Sequence, residues 1–391
     1  MRDGIWTGDL NRLVLGDGSS LGPIGFYDTT LRDGEQTVGV VFTPEQKLEI
    51  ARALDELGVE RIEAGFPRVS EEDRRAVELI ADAGLRAEIW GFSRAVRADV
   101  DAILELGLSA TVIESPISDR KLDALGVSRS KMLRRIADAV SYAAGQGVTV
   151  AYFGVDGTRA DLDFFDQAYR VATEAGAREV VVVDTLGIAT PEAVSFLVRR
   201  TRDLLGPDIP VHFHGHDDFG LATASAIAAA RAGARWIQGT VNGMGERAGN
   251  ADLCEVALAL TALYGIETPL RLERARAVSA LVRQIAGYEL EPWKALVGEN
   301  LFVRESGAVA SQFHDPPAIE PYSADLVGAE RRIVLGKKSG LDSIRIKVEE
   351  LGLDVPQDRW AELLAAVKRL GAAKRGLVSD QELRELAATL A

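Results

Sequence analysis

Three of the four histidines in this sequence alternate with other residues in one short segment. They are His212, His214 and His216 within VHFHGHDDFG, and the fourth is His314. Side chains alternate along a β-strand, so an extended segment would point all three imidazoles to one side. Two imidazoles at the end of such a strand can bind one metal ion, whereas a polar layer of hydrogen-bonded histidines is the alternative. His212 lies one layer deeper than the others and fits the second role better.

Acidic and polar residues end the other apolar runs of the chain. A single acid in such a place is most simply a solvated loop residue or a helix cap. A site with imidazole and carboxylate ligands but without cysteine suits Mn²⁺, Mg²⁺, Zn²⁺ or Fe²⁺. Asp33 and the polar loop 242–250 would be neighbours of the histidines in a closed barrel. The full set is Asp28 with 29–36, Glu63, Glu114, Asp156, Asp184 with Thr185, and Asn242.

A barrel is the fold that would bring these residues to one mouth. The continuously apolar run EVVVVDT (179–185) is typical of a parallel strand buried on both faces. Repeated β-then-α units predict an α/β (β/α)₈ TIM barrel, with sites at the C-terminal ends of its strands. An open doubly wound sheet is the alternative, although no GxGxxG fingerprint follows the first strand. The strands are predicted near 25–28, 61–66, 87–92, 110–114, 149–155, 179–184, 210–216 and 236–242.

Helix signals and composition divide the chain further. Thr43 and Gln46 form a capping box around Pro44, and Gly58 ends the helix that follows. After residue 285 the sequence becomes irregular and rich in Pro and Gly, before a helical end in which Ser379 caps the last helix. We predict an N-terminal extension (1–24), a barrel (25–285), a linker or lid (286–340) and a helical C-terminal region (341–391), with helices near 341–352, 357–370 and 379–390.

The composition excludes several classes of protein. The 391 residues include 45 Lys or Arg and 59 Asp or Glu, so the net charge is −14, which argues against broad binding of nucleic acid or anionic lipid. No apolar run approaches the ~20 residues of a membrane span, and the N-terminal segment lacks the apolar core of a signal peptide. The single cysteine, Cys254, excludes an internal disulfide. A cytoplasmic protein is predicted.

Five segments in order resemble one enzyme family, the acyl-CoA-dependent 2-oxoacid condensing enzymes. These are the 2-isopropylmalate, homocitrate and citramalate synthases of the metal-dependent DRE-type barrel superfamily. The resemblance runs from about residue 25 to 345 and is far more specific for the superfamily than for a substrate. Its segments are FYDTTLRDGEQ (26–36), IEAGFP (62–67), DTLGIATP (184–191), HGHDDFGLATA (214–224) and NGMGERAGNADL (242–253).

The resemblance implies a divalent metal (Mn²⁺, Mg²⁺ or Zn²⁺) at the barrel mouth and acetyl-CoA as co-substrate. It also implies a homodimer in which the C-terminal region covers the partner's barrel. Arg32 would face the 2-oxoacid and stabilise the developing alkoxide, for which guanidinium donors are suited. The residues lining the 2-oxoacid pocket would be Gln36, Glu63 and Thr185, with Glu63 also a catalytic candidate. The metal ligands would be Asp33, His214, His216 and, directly or through water, Asn250.

The segment that usually carries the family's general base departs from the pattern. Relatives have an HESGIHVDG-like sequence, whereas this chain has RESGAVASQ (304–312), so Arg304 and Val309 replace two histidines. Lys338 replaces another histidine, and Val155 replaces a glutamate on strand five. The residue that removes the proton is therefore not identified by the motifs.

Three interpretations of the missing base stay open. His314 would act from a shifted lid, or a carboxylate such as Glu305, or Tyr322, would act with a metal-linked water. In the third interpretation the chemistry differs from the standard condensation. A general base typically contributes ~10²–10⁴-fold, so its replacement need not abolish activity.

The acceptor is predicted from one residue and from the length of the chain. Arg120, after strand four, would bind a second carboxylate or a phosphonate bidentately, or would be a solvated residue at a helix start. A distal anion favours 2-oxoglutarate, oxaloacetate or a phosphonopyruvate-like acid over 2-oxoisovalerate. The leucine-binding regulatory region of isopropylmalate synthases would need further residues beyond 391. We therefore expect a homocitrate synthase-like enzyme, with isopropylmalate, citramalate or phosphonomethylmalate synthesis as alternatives.

Other functions of related barrels fit the residues less well. A 3-hydroxy-3-methylglutaryl-CoA-type lyase needs a cysteine in a glycine-rich loop, whereas Cys254 lies in the apolar run LCEVALAL. A biotin-dependent carboxyltransferase needs a modified lysine at a strand end, and no predicted strand ends in lysine. A barrel that serves only as a scaffold is suggested by the lost histidines, but the intact metal set argues against it.

Overall fold

The computed structural model describes residues 3–16 and 22–390. In this part of the chain, eight parallel strands form a closed barrel in which each pairs with the next and the last pairs with the first. This architecture confirms the predicted α/β (β/α)₈ TIM barrel. The strands are β1 Gly25–Asp28, β2 Arg61–Glu63, β3 Glu88–Arg94, β4 Ala110–Pro116, β5 Thr149–Val155, β6 Glu179–Asp184, β7 Val211–Gly215 and β8 Trp236–Gly239.

Helices follow the strands and continue beyond the barrel. Those of the barrel unit are α1 Leu10–Leu15, α2 Pro44–Leu57, α3 Glu71–Ala81, α4 Arg97–Glu105, α5 Asp119–Leu125, α6 Arg129–Gly145, α7 Leu162–Glu174, α8 Pro191–Leu205, α9 Ala222–Ala232, α10 Leu253–Tyr264 and α11 Ala275–Ala286. Those that come later are α12 Gly307–Ala310, α13 Pro316–Ile319, α14 Leu341–Leu351, α15 Trp360–Lys374 and α16 Asp380–Ala388. Short 3₁₀ turns span Gly34–Gln36, Gly157–Arg159, Val241–Gly243, Leu272–Arg274, Ala324–Val327 and Gln357–Arg359.

Local chemistry sets the ends of several elements. The predicted capping box of Thr43 with Gln46 is present before α2, and Ser379, the predicted cap of the last helix, forms one with Glu382 before α16. Strands β2 and β8 are shorter than predicted. Two or three residues beyond their ends the backbone becomes left-handed, at Gly65, where φ is 147°, and at Asn242, where φ is 62°. Such left-handed backbone does not continue a strand.

Alternation along the strands determines which side chains reach the barrel mouth. Side chains on the same side of a strand are two residues apart. The residue two positions after the last interior side chain of a strand therefore lies at the mouth of the barrel. On β3 to β6 this rule places Arg94, Glu114, Val155 and Thr185 there. The interior cluster beneath them is Tyr27, Trp90, Phe92, Ala110, Val112, Ala151, Phe153, Val181 and Val183.

Contacts divide the described chain into two compact units. One is residues 9–289, which contains the barrel, and the other joins residues 3–8 to 290–390. In the second unit β9 Val303–Arg304 pairs in parallel with β10 Arg332–Ile333, and Leu335, Ile344 and Leu363 belong to an apolar core around α14 to α16. The four-part domain division predicted above stays a prediction. Across the described residues, no helix combines the length and apolar character needed to cross a membrane.

Candidate metal centre and active site

Three ligating side chains converge at the C-terminal mouth of the barrel. Asp33 lies in the loop after β1, His214 on β7 and His216 just beyond it, and their ligand atoms lie within 4.8 Å of one another. Asp33 Oδ2 is 3.2 Å from His214 Nε2 and 3.7 Å from His216 Nε2. All three are buried. The alternation of the HxH segment and the closure of the barrel together produce this cluster.

Asn250 lies next to the three side chains of the cluster. Its Nδ2 donates to Asp33 Oδ1 at 3.2 Å and to the Met244 carbonyl at 3.1 Å. Its Oδ1 is buried and has no hydrogen-bond partner in the described chain. A Cβ at Gly245 would lie 2.2 Å from Asn250 Nδ2, so only glycine leaves the amide in place.

This donor set fits a divalent cation. His216 Nδ1 is 3.1 Å from the Gly249 carbonyl, to which it donates, so Nε2 remains as the ligand atom. Two imidazoles, one carboxylate and the unpartnered amide oxygen of Asn250 make a mixed N/O set, which several divalent metals accept. The described residues thus contain a triad that could hold a metal ion, Asp33, His214 and His216, with Asn250 beside it.

The surroundings of Asp33 and His216 favour the protonation states that bind metal ions. Burial favours the neutral acid of Asp33, but Arg32 and His214 hold the pKa of its carboxyl well below the usual range. Burial and the neighbouring His214 lower the pKa of His216 to about 4. At neutral pH the carboxylate is therefore charged and the His216 imidazole neutral, the forms that bind metals.

Arg32 connects the metal cluster to the barrel interior. Its Nε donates to Glu63 Oε1 and its Nη1 to Asp33 Oδ2 at 3.0 Å, while the guanidinium lies 4.3 Å above the centre of the Phe92 ring. Glu63 is fixed in turn by the Tyr27 hydroxyl at 2.9 Å. Arg32 Nη2 is buried without a partner among the described residues, which leaves a donor for an oxygen of a substrate.

Thr185 is oriented by the loop after β5, where the sequence analysis placed the strand-end acid Asp156. Its hydroxyl accepts the N–H of Asp156 at 2.7 Å, and Asp156 has a left-handed φ of 63°. The Asp156 carboxylate accepts hydrogen bonds from Ser118 and from Arg159. The positive φ of a non-glycine residue at a strand end marks a position that its neighbours hold in place.

His212 lies in a polar layer of the barrel, as the sequence favoured. It is fully buried, with Nε2 against Glu179 and Nδ1 accepting from Gln238 at 3.2 Å. Burial lowers the pKa of His212, and the imidazole is neutral. Burial opposes ionisation of Glu179, but His212 and Arg61 lower its pKa to about 2. This layer is distinct from the Asp33, His214 and His216 cluster.

Four other predicted site residues are described each within its own unit. Gln36 ends the 3₁₀ turn after β1 and is exposed, and Arg120 is exposed on α5. His314 and Tyr322 belong to the second unit, where His314 is exposed and Tyr322 stacks edge-on against Phe302 at 5.7 Å. The assignments of these four residues stay predictions.

Sequence comparison places the chain among related proteins. Residues 23–282 match the HMGL-like family and residues 296–375 the family described as homocitrate synthase post-HMGL domain-like. A "Homocitrate synthase AksA" of Methanopyrus kandleri is 47% identical over 92% of this chain and 90% of the relative. A "Putative (R)-citramalate synthase CimA" of that organism is 44% identical over 93% and 72%. The "2-isopropylmalate synthase" of Methanocaldococcus jannaschii is 38% identical over 92% and 70%.

Solved structures share the fold. The HMG-CoA lyase of Bacillus subtilis superposes with a TM-score of 0.61 at 20% identity, over 68% of this chain and 95% of that one. The carboxyl transferase domain of Rhizobium etli pyruvate carboxylase gives 0.54 at 19% identity, over 71% and 50%. At these identities the similarity concerns the barrel architecture.

Proposed function

This chain belongs to the HMGL-like family, and on that premise we propose that it is a homocitrate synthase-like acyltransferase. It would condense acetyl-CoA with a 2-oxoacid and then hydrolyse the thioester. The observation that carries the proposal is the convergence of Asp33, His214, His216 and Asn250 beside the free donor of Arg32. Relatives named as homocitrate, citramalate and isopropylmalate synthases support the same reaction class.

The cluster would hold a divalent metal that, when bound, polarises the ketone of the 2-oxoacid as a Lewis acid. Arg32 would donate from Nη2 to the oxygen on which negative charge develops, and its bonds to Glu63 and Asp33 fix the direction of that donor. Because this geometry exists before the reaction, little reorganisation is needed as the charge forms. Apolar rings of Phe92 and Phe153 against Arg32 and His214 would exclude water.

We assign the remaining contacts to the acceptor. Thr185, held by the Asp156 N–H, would donate its hydroxyl hydrogen to a carboxylate oxygen of the 2-oxoacid. Glu63 would orient Arg32, and Gln36 would close the pocket from the loop after β1. The first acceptor candidate is a distally anionic 2-oxoacid that reaches Arg120. The relatives named for citramalate and isopropylmalate synthesis make pyruvate and 2-oxoisovalerate the second candidates.

We also propose a homodimer in which the C-terminal region of one protomer covers the barrel mouth of the other. Loops that follow β1, β2 and β7 expose apolar side chains on the mouth face, Val38 at 94%, Val41 at 81%, Val69 at 65% and Phe219 at 71%. Exposed apolar side chains grouped on one face are typical of surfaces that another chain covers. Sedimentation equilibrium of the full chain would test this, and a monomer at micromolar concentration would contradict it.

The function is tested by release of free thiol from acetyl-CoA with Mn²⁺ or Mg²⁺ and a panel of 2-oxoacids. The panel comprises 2-oxoglutarate, oxaloacetate, 2-oxoisovalerate, pyruvate and phosphonopyruvate. We expect release with one of them, and a mass spectrum of the hydroxy-diacid product. Asp33→Ala is the control, because it removes a ligand and should release no thiol. No release by metal-loaded wild-type protein with any acceptor would overturn the proposal.

A further inference from the structure

A cavity of about 600 Å³ opens at the C-terminal ends of β3, β4 and β5. Arg94, Glu114 and Val155, which face the mouth at these strand ends, line it together with Lys121 of α5. Apolar residues, among them Pro116 and Met132, form much of the rest. None of these residues has been given a role in the reaction above.

Glu114 is the cavity residue whose surroundings are unusual. It follows the interior residue Val112 by two positions on β4 and is partly buried at the mouth. Its carboxylate accepts no hydrogen bond from the described residues. Burial raises the pKa of Glu114 above its ordinary value, although cations on neighbouring elements oppose the rise.

The other acids at the strand ends of the described barrel are already engaged. Asp33 accepts from Arg32 and Asn250, and Glu63 from Arg32 and Tyr27. Asp28 accepts hydrogen bonds from Thr30. Asp156 accepts them from Ser118 and Arg159. Asp184 accepts them from the Thr158 hydroxyl and from the backbone N–H groups of residues 188 and 189. A carboxylate that must accept a proton from a substrate needs a free oxygen, and among these acids only Glu114 has one.

The charged groups facing Glu114 come from four neighbouring elements. They are Arg32 from the loop after β1, Glu63 from β2, Arg94 from β3 and Lys121 from α5. Arg94 is held by Asp99 at 2.8 Å, and Arg32 and Glu63 are bonded to each other. Lys121 forms no ion pair within the described chain. The Glu114 carboxylate therefore has no hydrogen-bonded partner among the described residues, and Arg32 acts on it electrostatically.

We propose that Glu114 is the base that removes a proton from the methyl group of the acyl thioester. This inference rests on the proposed condensation and names the residue that the motifs did not supply. Val155 stands where the family pattern has a glutamate, and it lines the same cavity from β5, the strand paired with β4. Glu114 therefore places a carboxylate in the cavity from the adjacent strand.

The proton transfer balances without a further reagent. The methyl C–H bond breaks, and its proton forms an O–H bond with a carboxylate oxygen of Glu114. The electron pair passes through the thioester enolate into the new C–C bond to the ketone carbon. The C=O electron pair moves to the ketone oxygen, beside Arg32 Nη2, and that oxygen takes up a proton from solvent. Glu114 then returns its proton to solvent.

The test is Glu114→Gln in the full-length, metal-loaded enzyme, with thiol release as the readout. We expect kcat to fall by about 10²–10⁴-fold, the usual contribution of a general base, while the KM of the acceptor changes less than about twofold. The acidic limb of the pH profile of kcat should disappear in the variant. Glu114→Asp keeps the carboxylate but places it further from the substrate, because the side chain is shorter, and it should retain part of the activity.

Asp119→Asn is the matched control, because Asp119 is an exposed acid on α5 that pairs with Arg129. It should leave kcat and KM unchanged. If the wild type is active and Glu114→Gln has the same kcat, the role of Glu114 is overturned but the proposed function is not. A rise in KM without a loss of kcat would also overturn it, since that result marks an acceptor-binding residue. A wild type that releases no thiol would overturn the proposed function and this inference with it.

Discussion

Arg32 is the residue on which the proposed oxyanion stabilisation depends. Two of its nitrogens are occupied by Glu63 and Asp33, and the third, Nη2, points away from any partner in the described chain. Lysine carries the same charge but lacks the planar fork that makes these two contacts and keeps a third donor free. At the scale of single residues, the geometry of the donor therefore matters more than its charge.

Arg32→Lys should lower kcat about 10²–10³-fold, the usual cost of losing one oxyanion donor. Binding of metal should persist, because the ligands Asp33, His214 and His216 are unchanged. Steady-state thiol release and metal content by atomic emission together check this. Arg97→Lys, at an exposed pair with Asp138, is the control. Full activity of Arg32→Lys would contradict the assigned role.

The polar layer beneath the site shows how strands are tied together at the scale of elements. Arg61 on β2 donates to both oxygens of Glu179 on β6, at 2.6 and 3.0 Å, across the barrel interior. His212 on β7 contacts the same carboxylate. Breaking a buried pair leaves an uncompensated charge, which typically costs about 3–5 kcal/mol. The layer thus ties β2, β6 and β7 together beneath the proposed metal site.

Glu179→Gln should lower the free energy of unfolding by about 3 kcal/mol or more at pH 7. The folded-state pKa of Glu179, about 2, lies below the ordinary value of 4.5. Its contribution is therefore complete above pH 4.5 and is lost as the pH falls towards 2. Urea unfolding at pH 7 and at pH 3 should show a smaller difference between wild type and variant at pH 3. An equal or larger difference at the lower pH would count against the assignment.

At the scale of the whole molecule, the metal cluster joins chain segments that are far apart in sequence. Asp33 comes from the first β-then-α unit, His214 and His216 from the seventh and Asn250 from the eighth. A ligand that binds only the folded barrel stabilises it by mass action. Metal binding should therefore raise the free energy of unfolding of the entire barrel unit.

Removing metal with a chelator should lower the melting temperature. At ~100 times its Kd a ligand contributes about 2.7 kcal/mol, and roughly 1–2 °C per kcal/mol is expected here, because the unfolding entropy grows with the length of the chain. Scanning calorimetry with and without Mn²⁺ measures the shift. Asp33→Ala should show none, and an identical shift in that variant would place the bound metal elsewhere.

Much of the fold followed from local patterns. Apolar runs placed the eight strands, and capping residues such as Thr43 and Ser379 set helix starts, because these signals depend on neighbours in sequence. Alternation also predicted that His214, on β7, and His216, just beyond it, point to the same side, and in the structure both belong to the cluster. The closed order of the strands agrees with the repeated β-then-α units.

The tertiary structure alone decided which of these residues touch. Sequence spacing could not tell that Asp33 lies 3.2 Å from His214, or that Arg120 is exposed. It could not tell that Glu114 lacks a hydrogen-bond partner while the other strand-end acids have one. Periodicity reports only the side on which a residue lies. Hydrogen bonding and burial depend on groups that barrel closure brings from distant strands.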